Sequence, residues 1–203
     1  HQGMRIMAVT KTVPIERILP VLTERQIMLI GESRWQEAKD KLPQLPAGIE
    51  KHFIGHLQTN KVKEVVAAFD AIETIDSDKL LLAVAVEAQK QGKVLPIFLQ
   101  VNVSNDPAKF GFGLTELAAA VEKARSLPTV KLVGLMTIAA QASEAMVRKD
   151  YKTMKQLQLK YGLEELSMGM SDDWQIAAEE GATIVRLGTA LFGQRFPARI
   201  QPQ

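Results

Sequence analysis

The chain contains no cysteine, which excludes a disulfide frame, a thiolate nucleophile and a cysteine-rich zinc site. That composition suits a reducing compartment, and the cytosol is the expected location. Tyrosine is nearly as scarce, so a role that needs a phenol has only Tyr151 and Tyr161 to draw on. Charge of one sign is missing too: 25 Lys and Arg are mixed along the chain with 23 Asp and Glu, without the basic stripe that tracks a phosphate backbone. Nucleic acid is therefore not expected as a partner. No apolar run approaches the ~20 residues of a membrane helix, and the start lacks the basic and apolar stretches of a signal peptide, so no membrane partner is expected and the chain reads as soluble.

What is present is enough for one core. With 203 residues and 46% hydrophobic composition, and no repeat, low-complexity tract or long Pro/Gly-rich linker, a single domain over 1–203 is expected. The opening His1-Gln2-Gly3 reads as the remnant of an expression tag. The cluster from Leu42 to Gly48 is short and reads as a loop.

Short β-rich runs alternate with longer segments of helical periodicity, the pattern of parallel strands joined by crossover helices. Strands are predicted near Arg5 to Thr10, Ile27 to Gly31, His52 to Gly55, Ala71 to Thr74, Leu95 to Val103, Lys131 to Thr137, Glu165 to Met168 and Thr183 to Leu187. Helices fall between them at Pro14 to Thr23, Ser33 to Lys41, Asn60 to Phe69, Asp76 to Gln91, Thr115 to Ser126, Ser143 to Tyr161 and Asp172 to Glu180. Leu80, Leu81, Val84, Ala85 and Ala88 form one apolar stripe, and Asp76-Ser77, Thr115-Glu116 and Ser143-Glu144 are candidate helix starts. Eight strands and seven crossovers fit an α/β protein built as a (β/α)8 TIM barrel. An open doubly wound sheet shows the same alternation, and phosphate-type residues near strands seven and eight favour the barrel.

Lys11 follows the apolar strand Ile6-Met7-Ala8-Val9-Thr10, which puts its amine at the C-terminal mouth where barrel active sites collect. Apolar surroundings there would favour the neutral amine and attack on an aldehyde; a solvated lysine at a strand end is the bland alternative. Ser167, Gly169 and Ser171 lie between strand seven and a helix, and Gly188 and Thr189 follow strand eight, so two loops with exposed N–H groups could converge on a phosphate. Taken singly, the serines could be helix caps and the glycines turn residues. His52 and His56 have His-x3-His spacing, which on a strand does not aim two imidazoles at one ion, and no metal is expected. Gly111-Phe112-Gly113 lacks the third glycine of a dinucleotide finger, because Glu116 stands in its place.

The segments A-V-T-K-T, G-E-S-R-W-Q-E, H-F-I-G-H-L-Q-T-N-K, G-L-M-T-I, L-S-M-G-M-S-D-D and V-R-L-G-T-A-L-F-G occur in this order, spanning Ala8 to Gly193. In these the chain resembles the pyridoxal phosphate homeostasis proteins, a family similar to the N-terminal barrel domain of alanine racemase. The resemblance implies pyridoxal 5'-phosphate as cofactor, held as a Schiff base on Lys11, with its phosphate on Ser171, Gly188 and Thr189, joined by Ser167. It implies that Arg186 lies beside the pyridine nitrogen, where a permanent cation disfavours ring protonation and weakens the cofactor as an electron sink. The bland reading of Arg186 is an interior arginine paired with a carboxylate. Ser33, His56, Asn60 and Met136 are secondary candidates for the mouth. Ser33 stands where the family usually has asparagine, Lys51 where an aromatic residue is common, and an N-terminal helix usual in the family is expected to be missing before Arg5.

The resemblance further implies a carrier or regulator in vitamin B6 balance, with pyridoxal phosphate-dependent apoenzymes as partners. Alanine racemase takes its second acid/base from a tyrosine in a separate domain; here Tyr151 and Tyr161 both fall in the helix before strand seven, on the outer ring. An efficient racemase is therefore not expected, and the chain is read as a monomer. A small racemase or decarboxylase using Lys11 as base, and a scaffold without cofactor, are the alternative readings.

Overall fold

The computed structural model describes residues 3–194. The tag reading at His1 and Gln2 lies outside the described residues. Eight strands form a closed barrel in sequence order: β1 (Arg5–Val9), β2 (Leu29–Glu32), β3 (Glu50–Phe53), β4 (Ala71–Ile75), β5 (Leu95–Gln100), β6 (Val130–Met136), β7 (Glu165–Ser167) and β8 (Ile184–Leu187). Every pairing is parallel, and β1 closes on β8 with Met7 opposite Arg186 and Ala8 opposite Leu187. The open-sheet alternative is excluded by that closure.

Around the barrel run α1 (Ile15–Arg25), α2 (Trp35–Lys41), α3 (Val62–Ala68), α4 (Asp78–Lys90), α5 (Leu117–Ser126), α6 (Glu144–Lys160), α7 (Trp174–Glu179) and α8 (Thr189–Phe192). Helix α8 has no counterpart in the sequence reading, since four residues are too few for a periodic signal. The stripe of α4 lies fully on the core side: Leu80, Leu81, Val84, Ala85 and Ala88 are all buried. Ser77 caps α4 by accepting from the Leu80 N–H at 3.2 Å, and Ser143 caps α6 by accepting from Met146 at 3.3 Å. Thr115 does not cap α5. The N-cap position is Glu116, whose carboxylate instead accepts from the Gly113 N–H.

Strand alternation divides the core into two layers. Met7, Val9, Leu29, Ala71, Phe98, Met136 and Ile184 fill the lumen, while Ala8, Ile30, Phe53, Ile72, Leu99, Leu166 and Val185 face the helices. The predicted end of β5 at Val103 is too long. After Gln100 the chain leaves the sheet, keeping one bridge from Val101 to Phe112. Close packing there requires Gly111, whose φ is +124° and whose added Cβ would lie 2.6 Å from the Asn102 nitrogen.

Candidate functional site at the barrel mouth

Lys11 is half-buried and sits two residues beyond β1. Thr10 still donates to the Gly31 carbonyl at 3.1 Å, so the alternation that sends Met7 and Val9 into the lumen assigns Lys11 to the lumen side of the mouth. The turn carrying it is pinned from the helix layer by Lys41. That ammonium donates to the carbonyls of Thr10 (2.7 Å) and Val13 (3.3 Å) and pairs with Glu32 (2.5 Å) and Glu37 (2.8 Å). Glu37 also accepts from the Thr12 N–H, and Thr12 holds a left-handed φ of +63°. Burial raises the Glu32 pKa, opposed by Lys41 and Thr10. In the sequence Lys41 is legible only as the end of the helix Ser33 to Lys41; its i,i+4 pairing with Glu37 is local, but its bonds to Thr10, Val13 and Glu32 are not.

Ser171 and Gly188 meet as expected. The Ser171 hydroxyl oxygen accepts from the backbone N–H of Gly188 at 3.3 Å and of Ala190 at 3.1 Å, joining the β7–α7 loop to the first turn of α8. Thr189 is exposed and begins α8. With two N–H groups directed at its oxygen, the Ser171 hydroxyl keeps its proton for an incoming acceptor, a donor set that fits a phosphate oxygen. A hollow of about 130 Å³ bordered by Thr12, Val13, Arg17, Gly188 and Phe192 brings the Lys11 turn and this corner together.

The β7–α7 loop is itself held in place. Gly169 has φ +99° and an added Cβ would lie 2.5 Å from that of Ala177, so only glycine fits. Asp173 accepts from the Met170 N–H (2.7 Å) and from the Tyr151 hydroxyl (2.9 Å). Tyr151 is on the outer ring as expected, but it is buried and its hydroxyl reaches this mouth-side loop. Burial, and then the Asp173 charge, push the phenol pKa upward.

Ser167 takes a different place from the one expected. It is the last residue of β7, fully buried and turned into the lumen, where its hydroxyl donates to Glu73 (2.7 Å) and accepts from Arg186 (2.8 Å). The structure thus separates it from Ser171, because β7 ends at Ser167 and Ser171 lies four residues on, in the loop beyond the strand. Arg186 is interior, 3% exposed, and its second nitrogen donates to the Thr137 carbonyl at 2.8 Å. Its contacts are a hydroxyl and a carbonyl, so the carboxylate of the bland reading is present only at one remove, as Glu73.

From Glu73 the polar chain continues to His52 Nδ1 (2.8 Å), and from His52 Nε2 to Glu50 (2.6 Å), which pairs with Arg5 (2.7 Å). Burial works against the His52 imidazolium, yet the bonds to Glu50 and Glu73 outweigh it and hold the pKa at about 9. Glu50 is lowered to about 2, first by its bond from His52. Sequence reasoning passed over Glu73 and Glu50, although Glu73 stands inside the otherwise apolar strand Ala71–Ile75.

The secondary candidates scatter. Met136 is buried in the lumen at the end of β6. His56 is exposed, stacked on Phe110 with ring centroids 4.0 Å apart and 3.5 Å from Asp76, so the two histidines of the His-x3-His spacing stand apart. Ser33 is half-buried, its carbonyl so near Gly55 that a Cβ there would lie at 2.0 Å. Asn60 is exposed on the 3-10 turn Thr59–Lys61 before α3.

A lysine just beyond β1 and the Ser171–Gly188 junction after β7 and β8 sit on a closed eight-stranded barrel, and the family profile described as "Alanine racemase, N-terminal domain" matches residues 1–196. A pyridoxal phosphate homeostasis protein from Vibrio cholerae is 38% identical over 208 residues, covering 96% of this chain and 87% of that one. One from Aquifex aeolicus is 37% identical over 199 residues, covering 94% of this chain and 87% of its own length. The chain belongs to the pyridoxal phosphate homeostasis protein family. Among solved structures, PipY of Synechococcus elongatus is 33% identical over 95% of this chain and 94% of its own, with a TM-score of 0.88 without PLP and 0.86 with PLP bound. Among the described residues no helix is long and apolar enough to cross a membrane.

Proposed function

We propose that this chain binds pyridoxal 5'-phosphate at the barrel mouth and keeps it bound, serving vitamin B6 balance rather than amino-acid turnover. The observation that carries this reading is the Ser171 hydroxyl, which gathers two backbone donors at the start of α8, at the same mouth of the barrel to which strand alternation assigns Lys11. The relatives named for pyridoxal phosphate homeostasis and the PLP-bound PipY support it.

When bound, the cofactor supplies an aldehyde that condenses with a primary amine with loss of one water. Lys11 offers the amine, and the Lys41 pin keeps its turn in one conformation. Ser171, Gly188 and Thr189 would hold the phosphate, Ser171 through the hydroxyl proton that its two backbone donors leave free. Arg186 would offer the ring a permanent cation from the lumen, with Ser167 behind it, bonded to the guanidinium. Ser33, His56, Asn60 and Met136 have no assigned contact to the cofactor.

A racemase needs a second acid/base on the opposite face of the substrate. Tyr151 does not supply it, being buried with its proton directed to Asp173. The same reading has the chain act as a cytosolic monomer that passes its cofactor to apoenzymes. The deciding experiment adds pyridoxal phosphate to the purified chain, reduces with borohydride and maps the adduct by peptide mass. The expected adduct is on Lys11, with no racemisation across a panel of amino acids. Its absence from Lys11 overturns the binding reading, and Lys11-dependent turnover overturns the carrier reading.

A further inference from the structure

The hydrogen-bond directions along the lumen column follow from which of its groups can donate and which can only accept. Arg186 has donors alone, so its bond at 2.8 Å makes the Ser167 oxygen an acceptor. The single Ser167 proton then goes to Glu73 Oε2 at 2.7 Å, which must be an acceptor. Glu73 Oε1 accepts from His52 Nδ1 at 2.8 Å, while His52 Nε2 faces the Glu50 carboxylate at 2.6 Å, itself held by Arg5 at 2.7 Å. Against burial, these two bonds raise the His52 pKa to about 9, so the imidazole donates from both nitrogens. The result is a column of alternating sign, Arg186, Glu73, His52, Glu50 and Arg5, threading strands β8, β4, β3 and β1 with Ser167 of β7 as the one neutral link.

Burying Arg186 and Glu73 is costly unless each meets a partner of fixed geometry. Glu73 is fully buried, and its two oxygens are engaged by His52 and by Ser167. We propose that Glu73 is a positioning residue for the cofactor-ring side of the mouth, holding the Arg186 guanidinium in one orientation through the Ser167 hydroxyl. The proposal rests on the pyridoxal phosphate reading for the identity of the ring, while the Glu73–Ser167–Arg186 linkage is a property of the chain itself.

The test uses the full chain carrying Glu73→Gln, Ser167→Ala, or both. One arm follows the Arg186 side-chain N–H signals by NMR without cofactor. Each single variant is expected to speed their exchange with water about tenfold, as loss of a bond between charged or polar partners would. The second arm records the visible spectrum after loading with pyridoxal phosphate. Each variant is expected to bind the same stoichiometry but to change the ratio of the cofactor's visible bands, and the double variant to shift it no further than either single change. Should Glu73→Gln not fold, Ser167→Ala alone leaves the Glu73–His52 pair in place and must produce both effects. Wild-type exchange or a wild-type band ratio in a folded single variant, or additive shifts in the double, overturns the proposal. If the unmodified chain forms no Lys11 adduct, it is the binding reading that fails, and the exchange arm still decides whether Glu73 holds Arg186.

Discussion

The Ser171 hydroxyl oxygen lies 3.1 Å from the backbone nitrogen of Ala190, so a side chain from the β7–α7 loop caps the first turn of the helix after β8. The loops that follow the paired strands β7 and β8 are thereby stitched into one surface. Replacing Ser171 with alanine is expected to cost about 1 kcal/mol of stability and to weaken pyridoxal phosphate binding by about tenfold, the range for a lost cap and for a lost hydrogen bond to a charged group. Chemical denaturation and a fluorescence titration read the two effects. Unchanged affinity would remove Ser171 from the phosphate corner.

Lys41→Met removes the cation shared by Glu32, Glu37 and the carbonyls of Thr10 and Val13. It leaves Glu32 with one oxygen already lacking a hydrogen-bond partner and the other without its charge partner. The expected loss is about 3 kcal/mol, as for a broken buried pair, together with slower borohydride-trappable capture at Lys11. A variant that keeps both stability and capture rate would show that the turn holds itself.

His52 makes stability pH-dependent in a definite sense. Its pKa rises from 6.5 to about 9 on folding, so its stabilising contribution is complete below pH 6.5 and is lost as pH climbs through about 9. Glu50 acts oppositely. Lowered from 4.5 to about 2, it contributes above pH 4.5 and ceases to do so as pH falls through about 2. Thermal unfolding between pH 6 and 9.5 should show a falling Tm in the wild type and a flatter profile in His52→Gln. Equal slopes would mean that the imidazole is neutral in the lumen.

Gly55→Ala places a methyl group where the Ser33 carbonyl oxygen is only 2.0 Å away, with other backbone atoms of Ser33 at 2.7 Å. Backbone cannot step aside as a flexible side chain does. The substitution is expected to cost about 3 kcal/mol, the upper end for overpacking, measured by urea denaturation. A neutral outcome would show that the Ser33 loop has room to move.

The eight strands were legible because each is a short run bounded by turn residues, and the helices because stripes such as Leu80, Leu81, Val84, Ala85 and Ala88 repeat at helical spacing. The meeting of Ser171 with Gly188 was legible from the barrel rule that loops seven and eight share a corner. Ser167 already fell inside the predicted strand Glu165 to Met168, but which face of β7 it takes follows only from the barrel, where it turns inward to Glu73 and Arg186. Lys41 and the Glu73–His52 pair escaped for another reason. Their partners lie on other strands and loops, and pairing across 21 or 31 residues leaves no local periodicity to read.

The pairing of β1 with β8 sets Met7 opposite Arg186 and Ala8 opposite Leu187, so the lysine at the start of the chain and the anion corner near its end are neighbours only through the last strand. During synthesis, a chain emerging from the ribosome without β8 has its amine in place but neither Arg186 nor the Gly188–Ala190 turn. Such a nascent chain, or a product clipped before Ile184, can meet an aldehyde only as an exposed lysine would, without retaining it. On the proposed reading, retention of the cofactor therefore reports that β8 has docked against β1.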